Sequence, residues 1–210
     1  MTRLGFYIAR TLRQEAPLAA MGMSMVQVMA RMTGTVALVG NARSLAATAL
    51  GTEIDAADLV IRINRAPMPA AQSHGTRTDV LALATSLDAV TLARLDPKLI
   101  LWMSHKRKRL SWAVASHPGF ALPPLADFQR LKALLNAPPT TGLMLIDLLS
   151  RSTATSVTLY GFDFFASQSL TGSRTAADVP HDFAAERSFV EALIAHDNRF
   201  DLRGPSVLAE

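Results

Sequence analysis

Cysteine is absent from this sequence. That excludes disulfides and thiolate metal sites, and nothing ties the chain to an oxidising compartment. A reducing cytoplasm is the expected location. Charge is sparse, with 18% Asp, Glu, Lys and Arg against 50% apolar residues, a balance that favours a folded globule over a disordered segment. The 210 residues suffice for one domain with a substantial core.

Several motifs are also missing. There is no Gly-x-Gly-x-x-Gly and no Walker loop, which argues against the common dinucleotide and NTPase folds. No Gly-x-Ser-x-Gly nucleophile elbow occurs. No Asp-x-Asp pair is available to hold a metal against a diphosphate. The apolar run at residues 16–30 is shorter than the ~20 residues of a membrane span and carries no signal-peptide pattern. Residues 4–31 read as one or two helices interrupted near Pro17, either docked on the core or resting an amphipathic face on a membrane surface.

What is present reads as an α/β chain. Val36–Val39 is a short apolar run ending in Gly40-Asn41, a buried strand entering a turn. Ser44–Leu50 permits a helix that Gly51 would end. Leu59–Asn64 is a second strand, closed by Pro67 and Pro69. Further strands are expected at Asp79–Ala84, Lys98–Met103, Val157–Tyr160 and Arg199–Leu202. Helices are expected at 86–95, 125–136, Leu143–Arg151 and Glu186–His196. This alternation predicts a single Rossmann-like domain, a mostly parallel sheet flanked by helices, behind an N-terminal helical extension over residues 1–34.

In such sheets ligands gather beyond the carboxyl ends of the strands. Gly40-Asn41, Asn64 and Gly161 occupy such ends, where Gly permits close approach and Asn offers a donor and an acceptor; the same residues also suit ordinary turns. Thr140-Thr141-Gly142 opens an apolar helix, as an N-cap, a phosphate site or both. His181 lies after a polar loop, either at the surface or as a general base, with Glu186 in the first turn of the last helix. The run His105-Lys106-Arg107-Lys108-Arg109 is either a solvated loop or a site for an anionic partner. Its lack of interleaved aromatics argues against nucleic acid. The net charge of +4 suits a nucleotide or an anionic membrane.

Taken in order, these segments resemble the sialyltransferases of glycosyltransferase family 29. Val36–Ala42, Ile54–Pro67 and Gly75–Thr78 are similar to the large sialyl motif. Pro139–Leu143 through Leu159–Phe162 resembles the small motif, and His181 with Glu186 resembles the very small one. Gly161-Phe162-Asp163-Phe164 also has some likeness to the bacterial family 42 sialyltransferases. The resemblance implies that residues 35–210 form a CMP-sugar-binding domain that works without a metal or a further cofactor, the CMP-sugar being the donor substrate. It assigns nucleotide binding to Asn41, Asn64, Thr140, Thr141, Gly142 and Gly161, the catalytic base to His181 and a structural role to Glu186. Its partners would be a CMP-sugar carrying sialic acid or Kdo and a glycan or glycolipid acceptor; the N-terminal helix and the basic run would add peripheral contact with an anionic membrane.

The family's linked cysteines fall near Val36 and Ala154, which suits a bacterial, cytoplasmic enzyme at the inner membrane surface. Its His/Tyr-rich phosphate-side motif is missing from 164–180, where Arg174 or Ser and Thr hydroxyls would substitute. Two rival functions stay open: a CMP-binding protein without transfer activity, and a membrane- or polyanion-associated module.

Overall fold

The computed structural model describes residues 1–164, 169–170 and 179–204. Three short helices lead the chain: α1 (Arg3–Thr11), α2 (Glu15–Ala19) and α3 (Met25–Met29). There follow β1 (Thr33–Val39), α4 (Gly51–Ala56), β2 (Leu59–Ile63), α5 (Ala71–His74), β3 (Val80–Leu83), α6 (Ala89–Leu95) and β4 (Leu99–Trp102). The chain continues through α7 (Trp112–Ala115), β5 (Phe120–Ala121), α8 (Leu125–Leu135), α9 (Thr141–Ser150), β6 (Thr153–Tyr160), α10 (Phe183–His196) and β7 (Phe200–Arg203).

Among the described residues the six strand pairings are all parallel, in the order β5-β4-β3-β2-β1-β6-β7. Both faces are covered at β3 and β4, so these strands are continuously apolar rather than alternating. β3 and β4 show how this works. Val80, Ala82, Leu99 and Leu101 face the core under α8 and α9, while Leu81, Leu83, Ile100 and Trp102 face the opposite core, shared with Phe6 of α1 and Leu18 of α2. A third cluster packs Ile54 of α4 against Val39, Val60 and Tyr160. The α/β, Rossmann-like architecture expected from the sequence is therefore the one observed.

Several local expectations change. Residues 4–31 form parts of three helices, and the breaks avoid Pro17. That proline lies in the first turn of α2, where its missing N–H leaves no helical bond unmade. β1 begins at Thr33, ahead of the expected boundary. Arg43–Ala47 is a 3-10 turn, and Gly51 starts α4 instead of ending a helix. A side chain at Gly51 would collide with the backbone carbonyl of Ala71. β5, α5 and α7 were not anticipated.

The basic run is only partly solvated. Arg107 has a 3%-exposed side chain, which forms a two-pronged ion pair with Glu15 at 2.7 and 2.9 Å and donates to the carbonyls of Ser104 and Pro123. This residue clamps α2 to the loops around β4 and β5. Among the described residues, no helix is long and apolar enough to cross a membrane.

Candidate active site at the switch of the sheet

Chain direction across the sheet reverses between β1 and β6, and ligand crevices open beyond strand ends at such a reversal. Gly40 follows β1 and Gly161 follows β6. Their backbones lie so close that a Cβ on Gly40 would collide with the Gly161 carbonyl. The Gly40 N–H donates to Tyr160, and the Gly161 carbonyl accepts from Ala42. Gly161 adopts φ +66°, a left-handed conformation that glycine takes without strain.

Above this pair lies a cleft of about 700 Å³, within the size range of small-molecule sites. Asn41, Asn64, Thr140, Thr141, Gly142, Gly161 and His181 all line it, so the structure brings the seven residues singled out from sequence to one place.

Each is held by its own local structure. Asn64 ends β2 in a left-handed turn (φ +55°), and its Oδ1 accepts from the Ala84 N–H at 2.8 Å. Asn41 donates from Nδ2 to the Ile63 carbonyl at 3.3 Å. The two side chains thus bridge neighbouring strand ends. They leave the Asn64 amide nitrogen and the Asn41 amide oxygen without a partner among the described residues.

At the start of α9, Thr140 is the N-cap, and its Oγ1 accepts from the Leu143 N–H at 3.1 Å. The N–H groups of Thr141 and Gly142 have no helical acceptor, so the positive end of the helix faces the cleft. A Cβ on Gly142 would stand 2.7 Å from the Phe162 ring, which explains glycine at this position.

His181 is half-buried. Its Nδ1 lies 2.7 Å from the Pro138 carbonyl, which can only accept, so Nδ1 carries the proton. In the neutral ring Nε2 is then the basic nitrogen.

Glu186, one turn into α10, reaches back to the same cap. Its Oε1 accepts the Thr140 N–H at 2.6 Å and its Oε2 accepts the Thr140 hydroxyl at 2.7 Å. Burial pushes this carboxyl up from its ordinary value to about 7, outweighing the two Thr140 hydrogen bonds, and the Asp182 charge adds to the rise. Glu186 therefore ties α9 to α10 and fixes the α9 cap in the cleft that His181 also lines.

The region between β2 and β3 has a different task. Asp55 accepts the N–H groups of Thr76 and Arg77, and Arg77 donates to the carbonyls of Asp55 and Ala57 and to the Asp79 carboxylate. Arg62, fully buried in β2, donates to the carbonyls of His74 and Arg77. Burial lowers its guanidinium to about 10, and the Asp55 charge opposes that fall. These residues brace α4 and β2 against the turn between α5 and β3.

Residues 8–99 match the family model for glycosyltransferase family 29 (sialyltransferase). That match spans the first part of the chain, from α1 to the start of β4, and makes it similar there to the family 29 sialyltransferases. The matched region includes Asn41, Asn64 and the Asp55–Arg62–Arg77 brace, while Thr140–Gly142, Gly161 and His181 lie beyond it. No curated protein matches this chain in sequence.

Solved structures share its fold. One is a mammalian sialyltransferase in complex with Gal-β-1-3GalNAc-ortho-nitrophenol, at TM-score 0.63 and 16% identity, covering 96% of this chain and 85% of that one. A second mammalian sialyltransferase structure aligns at TM-score 0.62 and 20% identity, over 82% and 69% of the two chains. The sialyltransferase CstII from Campylobacter jejuni, in complex with the substrate analogue cytidine-5'-monophosphate, aligns at TM-score 0.57 and 16% identity, over 83% and 81%.

Sequence reading missed Arg65, Thr85, Ser86 and Phe164 in the cleft wall. Arg65 is exposed, makes no ion pair or hydrogen bond among the described residues, and is the one Lys or Arg of the described lining residues. Its position after Asn64, at the end of a buried strand, was the signal available. Arg174 and most of the 164–180 loop lie outside the described residues. No group of three or more His, Asp or Glu side chains converges among the described residues.

Proposed function

We propose that this chain moves a sugar from a CMP-sugar to a hydroxyl of a glycan or glycolipid, with inversion and without a metal. One observation carries the reading: a histidine with its Nδ1 proton committed to a carbonyl shares a cleft with the start of α9, where the Thr141 and Gly142 N–H groups have no helical acceptor. His181 Nε2 takes the acceptor hydroxyl proton. The freed oxygen attacks the anomeric carbon, the bond from that carbon to the phosphate oxygen breaks, and CMP departs. The N–H groups of Thr141 and Gly142 receive the charge growing on the phosphate. Asn41 and Asn64 supply the donor and acceptor suited to a ribose or a base edge. The CMP named in the CstII structure supports the nucleotide, and the sugar is one of those carried on CMP, sialic acid or Kdo.

The test is a CMP-release screen with CMP-sialic acid and CMP-Kdo against glycan and glycolipid acceptors. His181→Ala is expected to lower turnover by about 10²–10⁴-fold while keeping CMP affinity. Wild-type CMP binding with no CMP release on any acceptor would overturn transfer, and unchanged turnover in His181→Ala would overturn the base.

A further inference from the structure

Phe164 stands in the cleft wall with a backbone conformation that its side chain does not favour. Its φ is +52°, in the left-handed region. Asn64, Asp96 and Asn136 adopt the same region, and their short polar side chains tolerate it. A bulky aromatic residue there is an outlier. Such outliers persist only where their surroundings hold them, and they cluster at ligand clamps.

The neighbours of Phe164 are held on every side that the fold describes. The Asp163 carboxylate accepts the Ser44 hydroxyl at 2.9 Å, and the Asp163 carbonyl accepts from the Arg187 guanidinium at 3.4 Å. The Gly161 carbonyl accepts the Ala42 N–H at 3.2 Å, and the Leu170 N–H donates to the Asn41 carbonyl at 2.8 Å. Phe164 therefore belongs to the flank of the cleft built from the ends of β1 and β6, with the Gly40–Gly161 contact and Asn41. The Arg187 guanidinium also lies 5.4 Å from the centroid of the Phe164 ring. Arg187 is not one of the cleft-lining residues, so this cation backs the ring without covering it from the cleft.

We propose that Phe164 is the platform on which the base of the nucleotide stacks, an inference that rests on the CMP-sugar reading above. A base presents a flat face and a polar edge. The ring takes the face, with the Arg187 cation behind it. The Asn41 amide oxygen, without a partner among the described residues, takes a hydrogen bond from an exocyclic amine on the edge. The left-handed turn is what carries the ring to this position, and the bonds at Asp163 and Gly161 hold the turn.

Calorimetry of the full chain with CMP and with ribose 5-phosphate, which has no base, tests this. Phe164→Ala is expected to weaken CMP binding by about 5- to 150-fold and to change ribose 5-phosphate binding by less than about twofold. Phe164→Leu keeps apolar volume against the core but has no π-face, and is expected to lose nearly as much CMP affinity as Ala. Phe164→Tyr keeps the flat ring and is expected to keep CMP affinity. Unchanged CMP binding in Phe164→Ala would overturn the platform, and so would Leu performing as well as Tyr. Equal losses of CMP and ribose 5-phosphate would make Phe164 a shaping residue instead. A loss seen with a CMP-sugar but not with CMP would put the sugar on the ring and overturn the base assignment. The transfer reading fails separately, through wild-type CMP binding without CMP release, whereas a wild-type chain that binds no CMP overturns both.

Discussion

Replacing Glu186 by Gln separates the carboxylate's electrostatic cost from its hydrogen bonds. The residue is 4% exposed and is held by two contacts to Thr140. Raising its carboxyl from 4.5 to about 7 corresponds to about 3 kcal/mol, at ~1.4 kcal/mol for each pH unit. The sign follows from the order in which protons leave. Below pH 4.5 folded and unfolded chains are both protonated here, and the group costs nothing. Between 4.5 and about 7 the unfolded chain has released its proton while the folded chain keeps it, so stability falls as pH rises. Above about 7 the loss is complete.

Gln cannot titrate. Its oxygen still accepts the Thr140 N–H, but its NH₂ cannot accept the hydroxyl, a loss of about 1 kcal/mol. Near pH 5 the two proteins should therefore differ by no more than about 1 kcal/mol, and at pH 8 the variant should be more stable by about 2 kcal/mol. Urea unfolding followed by tryptophan fluorescence measures both, with Trp102 buried as a reporter. A difference between variant and wild type that stays constant from pH 5 to pH 8 would refute the burial argument.

Three further outcomes are expected. Gly142→Ala should cost about 1–3 kcal/mol in urea unfolding and weaken CMP binding in calorimetry, because its methyl meets the Phe162 ring at the cap. Arg65→Gln should weaken a carboxylate-bearing CMP-sugar roughly tenfold while leaving CMP nearly unchanged, the signature of a charge-assisted contact to the sugar; equal losses for both ligands would place Arg65 on the nucleotide instead. Arg107→Ala should lower stability by about 2–4 kcal/mol, since it releases Glu15 and two carbonyls together; a loss under about 0.5 kcal/mol would show that α2 holds its place without the clamp.

Strands were legible where burial on both faces demanded four or more consecutive apolar residues, as in Val36–Val39, Val80–Leu83 and Leu99–Trp102. β5 has only two residues and leaves no such run. Gly51 misled because its small size serves contact with Ala71, in another part of the chain, and local pattern carries no record of that. The cleft residues were legible because they end strands or begin helices. Their support was not, for the Glu186–Thr140 bond joins residues 46 positions apart. Arg107 shows the same limit: within a basic run it looks like its solvated neighbours, and only the fold buries it.

The long reach of β1 has a consequence for synthesis. Its two sheet partners are made at very different times: Val36 registers with Leu59 on one side, whereas Thr33 waits for Thr153 on the other. A nascent chain can thus assemble β1 to β5 while one flank of β1 is still a row of unpaired backbone groups, an edge prone to intermolecular pairing. Closure comes only when β6 emerges from the ribosome, and the Gly40–Gly161 crevice is formed in that same late event. A chain stopped before Thr153 should be insoluble as well as inactive, so soluble yield in a truncation series reports on when the crevice closes.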